Sequence, residues 1–246
     1  MKNFKLGKKA PRYSKRTLMM SNYVNDSLLP PIPASVDWTP KNVDLQCFLN
    51  DSLGDCTCAG MAHLLMAWSA NAGQIVVPTN DQVLAAYEGA CGYNPADPAT
   101  DQGGVETDVL AYWANTGIAG HKISGSVQIH PHNLAHMRAA IYLFGGVYVG
   151  VELPNSAESQ FDSGKWDVGG DETIDGGHCI VLTGFTPDGF QAISWGKEVF
   201  ATNAWWLKFS DEAYCPVSPD WIKAAGVAPS GLNLSQLQLD MAAVKN

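Results

Sequence analysis

One long apolar run dominates the pattern of hydrophobic and polar positions along the chain. From Cys56 to Trp68 the residues are small and apolar almost all round, and the run ends before Gly73. A helix that is apolar on every side lies buried between other elements, and glycine favours helix C-termini. The pattern therefore predicts a central buried helix that begins near Cys56.

Other segments show weaker periodic patterns. Helices are predicted at about 80–90, 105–116 and 133–144, the first with Asn80 as its N-terminal cap. Strands are predicted in three later runs that are β-branched or aromatic and separated by Gly and Pro: 147–153, 179–185 and 189–195. Helices in the first half and strands in the second predict an α+β fold and not an alternating βαβ sheet.

Composition and charge divide the chain into an arm and a body. The 246 residues are 46% hydrophobic, which is typical of a buried core and excludes a disordered or collagen-like chain. The net charge is -9, yet the first 16 residues carry seven cations. We expect a basic extended arm at 1–36, and a domain at 37–246 with its helices mainly in 50–145, its strands mainly in 146–215 and a C-terminal tail.

The same features limit the partners. An acidic body is a poor nucleic-acid groove, so no sequence-specific nucleic-acid partner is expected, and the arm is expected to wrap over the domain or to dock on an acidic partner. No apolar run approaches the roughly 18 residues that span a bilayer, and the start of the chain lacks the apolar core of a signal peptide. We therefore expect no membrane partner. Six sparse, irregularly spaced cysteines predict free thiols in a reducing compartment.

Cys56 is the main candidate for chemistry. A thiol at a helix N-terminus faces unpaired backbone amides, which favour thiolate. The neighbouring Asp55 opposes this effect by like-charge repulsion. From its position alone, Cys56 is either a nucleophile or a buried structural thiol.

A metal site is not expected among the cysteines and histidines. Cys56 and Cys58 point about 200° apart on a helix, and no second cysteine pair completes a zinc site. His63 shares a face with Cys56 but lies about 10.5 Å along the axis, so it is predicted to be a packed helix histidine. A solvated cluster is expected for the remaining group: His130, His132 and His136. No cofactor is implied.

His178 is the best candidate for a base. It follows two glycines at the mouth of the predicted strand 179–185, where the backbone can approach a neighbour closely.

Three segments carry a resemblance to papain-like cysteine peptidases. Residues 54–59 (GDCTCA) resemble the family's Gly-Ser-Cys-Trp-Ala segment, 177–185 (GHCIVLTGF) its His-Ala-Val-x-x-x-Gly-Tyr strand, and 194–196 (SWG) its Ser-Trp-Gly. The resemblance implies a two-lobed α+β fold, in which a helical lobe has a central helix starting at the nucleophile and packs beside an antiparallel β lobe. It also implies a peptide or protein substrate. The roles that it implies are Cys56 as nucleophile, His178 as base, and Gly103, Gly104 and Trp195 in substrate binding.

The chain also departs from the family pattern. The oxyanion-hole glutamine is replaced by Asn50, which is one methylene shorter. The asparagine that orients the histidine is replaced by Ile193, so Ser194 is expected to take that role after a shift of one residue. Cys58 is the alternative nucleophile, but Cys56 keeps Asn50 and Gly54 in register.

Two functions are consistent with the sequence. The basic start, the residues around Cys56 and the Ser-Trp-Gly-Lys segment are also similar in pattern to uncharacterised papain-like proteins of tailed bacteriophages and prophages. One hypothesis is a thiol hydrolase in the bacterial cytoplasm. The other is a catalytically impaired papain-like fold that serves as a virion structural or interaction protein and docks on phage or host proteins through the arm.

Overall fold

The computed structural model of the protein describes residues 4–12, 17–22, 30–222 and 228–230. The helices within these ranges are α1 (Cys56–Ala72), α2 (Asn80–Cys91), α3 (Glu106–Asn115), α4 (Leu134–Phe144), α5 (Asn155–Phe161) and α6 (Asn203–Phe209). The strands are β1 (Val36–Asp37), β2 (Gly125–Ile129), β3 (Val147–Pro154), β4 (Lys165–Trp166), β5 (Ile174–Thr186), β6 (Gly189–Ser194), β7 (Lys197–Thr202) and β8 (Ser210–Val217). Three cations of the predicted arm lie outside the described residues: Lys2, Lys15 and Arg16. No helix in the described part is long and apolar enough to cross a membrane.

Helix α1 is the predicted central helix. Its residues from Cys56 to Ser69 are all buried. It ends at Gly73, whose φ of 109° lies in the left-handed region and whose amide donates back to the Ser69 carbonyl at 3.1 Å. Trp68 stacks on Trp113 of α3, with 5.3 Å between ring centroids. The predicted helix and its end are confirmed.

Helices α2, α3 and α4 lie within a residue or two of their predicted positions, but the predicted cap of α2 is wrong. Thr79, not Asn80, caps this helix. The Thr79 hydroxyl accepts from the Gln82 amide at 3.3 Å, and the Gln82 side chain accepts from the Thr79 amide at 2.9 Å. This reciprocal pair satisfies two donors of the first turn, so the helix begins one residue after the threonine.

The strands form one twisted sheet in the order β2-β8-β3-β5-β6-β7-β4, with β1 paired to β5. The pairs are antiparallel except for β4 with β7. The three predicted strands correspond to β3, β5 and β6, and β5 begins earlier than predicted, at Ile174. The α+β class is confirmed, although two short helices, α5 and α6, interrupt the second half of the chain.

The first turns of α1 pack directly on β3 and β5. Gly60 permits this approach, because a Cβ there would lie 3.0 Å from the Tyr148 ring and 3.3 Å from Cys179 Sγ. The Tyr148 hydroxyl donates to the Thr57 carbonyl at 2.8 Å. The start of α1 is thereby held against β5 where Cys179 follows His178.

We predict that the stability of the chain depends on the burial of α1. Leu65 in α1 has no exposed surface, whereas Leu207 in α6 is 41% exposed. We expect Leu65→Ala to lower the free energy of unfolding by about 2–5 kcal/mol, because it removes buried apolar surface and leaves a cavity. The matched variant Leu207→Ala should change it by about 0.5 kcal/mol or less. Urea unfolding followed by circular dichroism measures both, and equal losses would contradict the central position of α1.

Candidate functional site

Cys56 begins α1, and its thiol faces β5. The backbone amide of Cys179 lies 3.4 Å from Cys56 Sγ and donates to it. Burial raises the pKa of the Cys56 thiol to about 12, while the backbone amides of Cys179 and Gly7 act in the opposite direction. The thiol is therefore protonated at neutral pH in this arrangement.

Asp55 precedes Cys56, but it repels a Cys56 thiolate less than the sequence predicts. Its carboxyl group is fully buried, and the Asn50 side-chain amide faces it. Burial raises the pKa of the Asp55 carboxyl well above its usual range. The neutral carboxyl is thus favoured, which reduces the repulsion.

His178 lies on β5, one residue before the amide that contacts the thiol, and its side chain is fully buried. Its Nε2 lies 2.9 Å from Ser194 Oγ. Its Nδ1 has no hydrogen-bond partner within the described ranges. Burial lowers the pKa of His178 to about 3, and the charges of His63 and Lys8 act in the same direction. The ring is therefore a neutral imidazole, in which Nε2 has Ser194 as its hydrogen-bond partner and Nδ1 has no partner among the described residues.

The structure brings Ser194, and not Ile193, to the histidine. Both residues end β6, which pairs with β5, and successive side chains of a strand point to opposite faces. Ile193 is buried in the core around α1 and offers no polar atom. The Ser194 hydroxyl is therefore the polar side-chain group of β6 that reaches His178.

Asn50 lies close to the start of α1, but its amide is engaged. Its side chain is almost fully buried, and Nδ2 donates to the Leu53 carbonyl at 3.2 Å. The Asn50 Nδ2 group has two N–H donors, and the Leu53 carbonyl accepts from one of them.

The other candidate residues, Cys58 and His63, have partners of their own. Cys58 contacts Cys91, and all six cysteines are free thiols, as predicted. His63 is confirmed as a packed helix histidine, since its Nε2 lies 3.1 Å from the Leu45 carbonyl and 2.9 Å from the Gln46 carbonyl. The described residues include no group of three or more His, Cys, Asp or Glu side chains that could hold a metal ion.

Residues 4–9 of the predicted arm lie across Cys56, between the loop before α3 and strand β5. We call residues 4–9 the cleft segment. It is held by backbone hydrogen bonds on both sides and runs parallel to the loop at Gly104. These bonds run from the Gly104 amide to the Gly7 carbonyl (2.8 Å), from the Lys9 amide to the Gly104 carbonyl (2.8 Å), and from the Lys8 amide to the Gly177 carbonyl (3.0 Å).

Glycines make room for the cleft segment above the thiol. A Cβ on Gly7 would lie 1.9 Å from the Gly54 carbonyl oxygen, and one on Gly103 would lie 1.9 Å from the Gly7 carbonyl oxygen. The Gly7 backbone amide faces the Cys56 thiol and acts to lower its pKa. The predicted substrate-binding residues Gly103 and Gly104 therefore line the channel that the chain's own N-terminal segment fills.

Trp195 links the cleft segment to the histidine. Its ring is stacked between Phe4, with 4.2 Å between centroids, and His178, with 4.3 Å. Lys5 of the same segment forms an ion pair with Asp101. Phe4 and Trp195 together contribute to excluding water from the imidazole.

Sequence reasoning missed two features of the site. One is the path of the cleft segment directly over Cys56. The other is a group of acidic side chains around Lys8, formed by Glu106, Asp211 and Glu212. The available signal was the single glycine, Gly7, within a cationic stretch of an otherwise acidic chain.

No protein-family model matches the chain, and no curated protein does. Solved structures do match. Xylellain, a cysteine protease from Xylella fastidiosa, is 13% identical with a TM-score of 0.70, over 88% of this chain and 97% of that one. The Carica candamarcensis cysteine protease CMS1MS2 is 18% identical with a TM-score of 0.55, over 76% and 99%. Procathepsin L 3 of the Tenebrio molitor larval midgut is 15% identical with a TM-score of 0.55, over 78% and 72%. The chain therefore has the α+β fold of the papain-like cysteine proteases.

Proposed function

We propose that the chain is a thiol hydrolase, a cysteine peptidase that cleaves peptide or protein amides with Cys56 as nucleophile and His178 as general base. One observation carries the proposal. The thiol at the N-terminus of α1 accepts from the Cys179 amide, which directly follows His178 in β5, and Ser194 holds the His178 ring at Nε2 while Nδ1 has no partner among the described residues. A nucleophile, a base and a group that orients the base are the parts that this chemistry requires.

The reaction follows from these positions. His178 Nδ1 takes the thiol proton as sulfur attacks the carbonyl carbon, so that an S–C bond forms and the carbonyl π electrons move to oxygen. Collapse of this intermediate breaks the C–N bond, and the leaving nitrogen takes the proton from His178. Water then gives a proton to His178 and attacks the thioester. The S–C bond breaks, and Cys56 recovers its proton.

The developing oxyanion needs donors at the start of α1. Cys56 is the first residue of the helix, so its backbone amide has no acceptor within α1. This amide and the positive end of the helix dipole stabilise the oxyanion, and the second N–H of Asn50 Nδ2 is the further donor.

The cleft segment holds the proposed enzyme in a resting state. Gly7 presents its amide N–H to the thiol, not a carbonyl carbon, so the segment cannot be attacked in this position. With the segment in place the thiol and the imidazole are both neutral. The active form is the one from which the cleft segment has moved away.

The alternative, a phage virion or host-binding protein docked through the arm, remains a prediction from the sequence. The filled cleft is the observation that favours it. Three arm cations, however, form ion pairs within the chain: Lys5 with Asp101, Lys8 with Asp211, and Arg12 with Asp108. These cations are engaged by the body, which is why we favour the hydrolase. A location in the bacterial cytoplasm or in a phage particle is likewise a prediction.

We predict that displacing the cleft segment makes Cys56 reactive. In the full chain the thiol, with its pKa near 12, should react slowly with iodoacetamide at pH 7. Gly7→Val should raise the Cys56 rate at least about tenfold, because the new side chain collides with the Gly54 carbonyl and solvent then reaches the thiol. Site-resolved mass spectrometry measures the rates.

Ala10→Val is the matched control, since Ala10 is exposed and directly follows the cleft segment. Buried Cys215 is an internal reference that should stay unreactive in every variant. Equal Cys56 rates in the wild type, Gly7→Val and Ala10→Val would show that the cleft segment does not protect the thiol.

We predict that Cys56 and His178 carry turnover. In the Gly7→Val background, hydrolysis of fluorescein-labelled casein should fall to background with Cys56→Ala, and about 10²-fold or more with His178→Ala. Ser194→Ala should lower kcat about tenfold or more, because Nε2 loses the hydroxyl that orients the ring. The exposed Ser163 gives the control Ser163→Ala, which should change nothing. Undiminished hydrolysis by Cys56→Ala would remove this mechanism.

A further inference from the structure

The side chain of Lys8 fills a buried acidic pocket beside the proposed nucleophile. It has no exposed surface. Its Nζ lies 2.6 Å from Asp211 Oδ2 and 3.3 Å from Glu212 Oε1, and it also donates to the Lys9 carbonyl at 3.3 Å. The pocket therefore holds an ammonium group on two carboxylates of β8.

The pocket is built into the body of the protein. Gly150 of β3 leaves the space for the lysine stem, because a Cβ there would lie 2.0 Å from Lys8 Cε. Glu212 is fixed from the side by the Tyr214 hydroxyl, which donates to it at 2.8 Å. Glu106 of α3 lies nearby and is fully buried, and the Cys179 thiol faces its carboxyl group.

The charges of this pocket are out of balance without a cation. Burial raises the pKa of Glu106 well above its usual range, and the charge of Glu212 raises it further, whereas Lys8 acts in the opposite direction. Burial alone would lower the pKa of Lys8, but the carboxylates of Glu106 and Asp211 more than offset this effect and raise it. If Lys8 leaves, buried carboxyl groups lose their only described cationic partner, and another cation of the same shape is strongly favoured.

The backbone geometry indicates which substrate residue would enter the pocket. In the cleft segment the Gly7 nitrogen faces Cys56, and Lys8 follows. A substrate must instead present a carbonyl carbon at that point, which requires the opposite chain direction. When the chain direction is reversed, each backbone nitrogen of the cleft segment takes the place of a substrate carbonyl carbon. The Gly7 nitrogen therefore corresponds to the scissile carbonyl carbon, and Gly7 Cα corresponds to the Cα of the substrate residue that bears this carbonyl. Lys8 Cα then corresponds to the preceding residue.

We propose that the pocket of Glu106, Asp211, Glu212 and Gly150 is a specificity pocket that selects substrates with a lysine at the second residue before the scissile bond. This inference rests on the proposed hydrolase function and names its substrate class. Lys8 of the cleft segment is the internal occupant that a substrate lysine replaces.

A binding experiment tests the pocket without relying on catalysis. The protein is the full chain carrying Gly7→Val, and the probe is a fluorescent peptide with the sequence of residues 4–12. A second peptide has norleucine in place of Lys8, which keeps the length and removes the charge. Fluorescence anisotropy should show affinity at least about tenfold weaker for the norleucine peptide, because a buried ion pair is lost. Equal affinity, or binding of neither peptide, would overturn the proposal.

Hydrolysis supplies the second arm of the test. The probes are acetyl-Ala-Lys-Gly and acetyl-Ala-norleucine-Gly amides of 7-amino-4-methylcoumarin. We expect kcat/KM to favour the lysine peptide at least about tenfold in Gly7→Val, and this ratio to collapse when Asp211→Asn or Glu212→Gln is added. Asp162→Asn removes an exposed carboxylate elsewhere and should leave the ratio unchanged.

The two arms separate the failure of this proposal from that of the hydrolase. Equal hydrolysis of the two coumarin peptides overturns the specificity pocket and leaves the hydrolase standing. A clear preference in binding with no hydrolysis of either peptide overturns the hydrolase, and with it the substrate role, but leaves a lysine-binding pocket. Thermal unfolding of each variant shows whether a lost preference arises from a lost fold.

Discussion

The backbone amide of Cys179 donates to the thiol of Cys56 where the first turn of α1 packs against β5. This contact places the other parts of the site. His178 precedes that amide by one residue, so the strand that carries the donor also carries the imidazole. Gly60 permits the close approach, and Tyr148 fastens the first turn through the Thr57 carbonyl. A side chain at position 60 would have to push the Tyr148 ring and the Cys179 thiol aside by a few tenths of an ångström.

The parts of the fold that could be predicted from the sequence are those with a strong local pattern. The apolar run after Cys56 and the stop at Gly73 define α1, and the β-branched run after Cys179 defines the centre of β5. Strand β8 lacked such a signal, since Asp211 and Glu212 stand at its start. Charged residues there have a physical reason only when Lys8, about 200 positions earlier, is known to lie beside them.

The candidate site also has parts that a local sequence pattern predicts and parts that it does not. Cys56 and His178 are candidates from residue type and local setting, because a helix N-terminus and a glycine-flanked strand are visible in the sequence. The contact between Ser194 and His178 depends on which face of β6 each side chain takes, and that is fixed by the pairing of β6 with β5. The path of residues 4–9 depends on contacts with distant glycines, which no local pattern reveals.

Lys8 joins the acidic pocket to the chemistry of the cleft. Its ammonium group offsets carboxylates that are buried beside it, and its charge also contributes to lowering the pKa of His178. The same residue therefore fills the pocket and helps to keep the His178 imidazole neutral. Phe4 adds to this effect by stacking on Trp195, whose other face covers the imidazole. If the cleft segment left, solvent would reach the Cys56 thiol, the Lys8 charge would move away from His178, and the acidic pocket would become empty.

The most direct test of this account is the titration of His178 by NMR, with ¹³C-labelled histidine, in the wild type and in Gly7→Val. In the wild type, burial and nearby cations disfavour the imidazolium, so the His178 signal should show no titration from pH 8 down to pH 4, in keeping with a pKa near 3. In Gly7→Val, solvent enters and Lys8 withdraws, so the pKa should rise to about 6.5 or above. A wild-type His178 that titrates near pH 6.5, with no change in Gly7→Val, would contradict the claim that the cleft segment controls the Cys56–His178 pair.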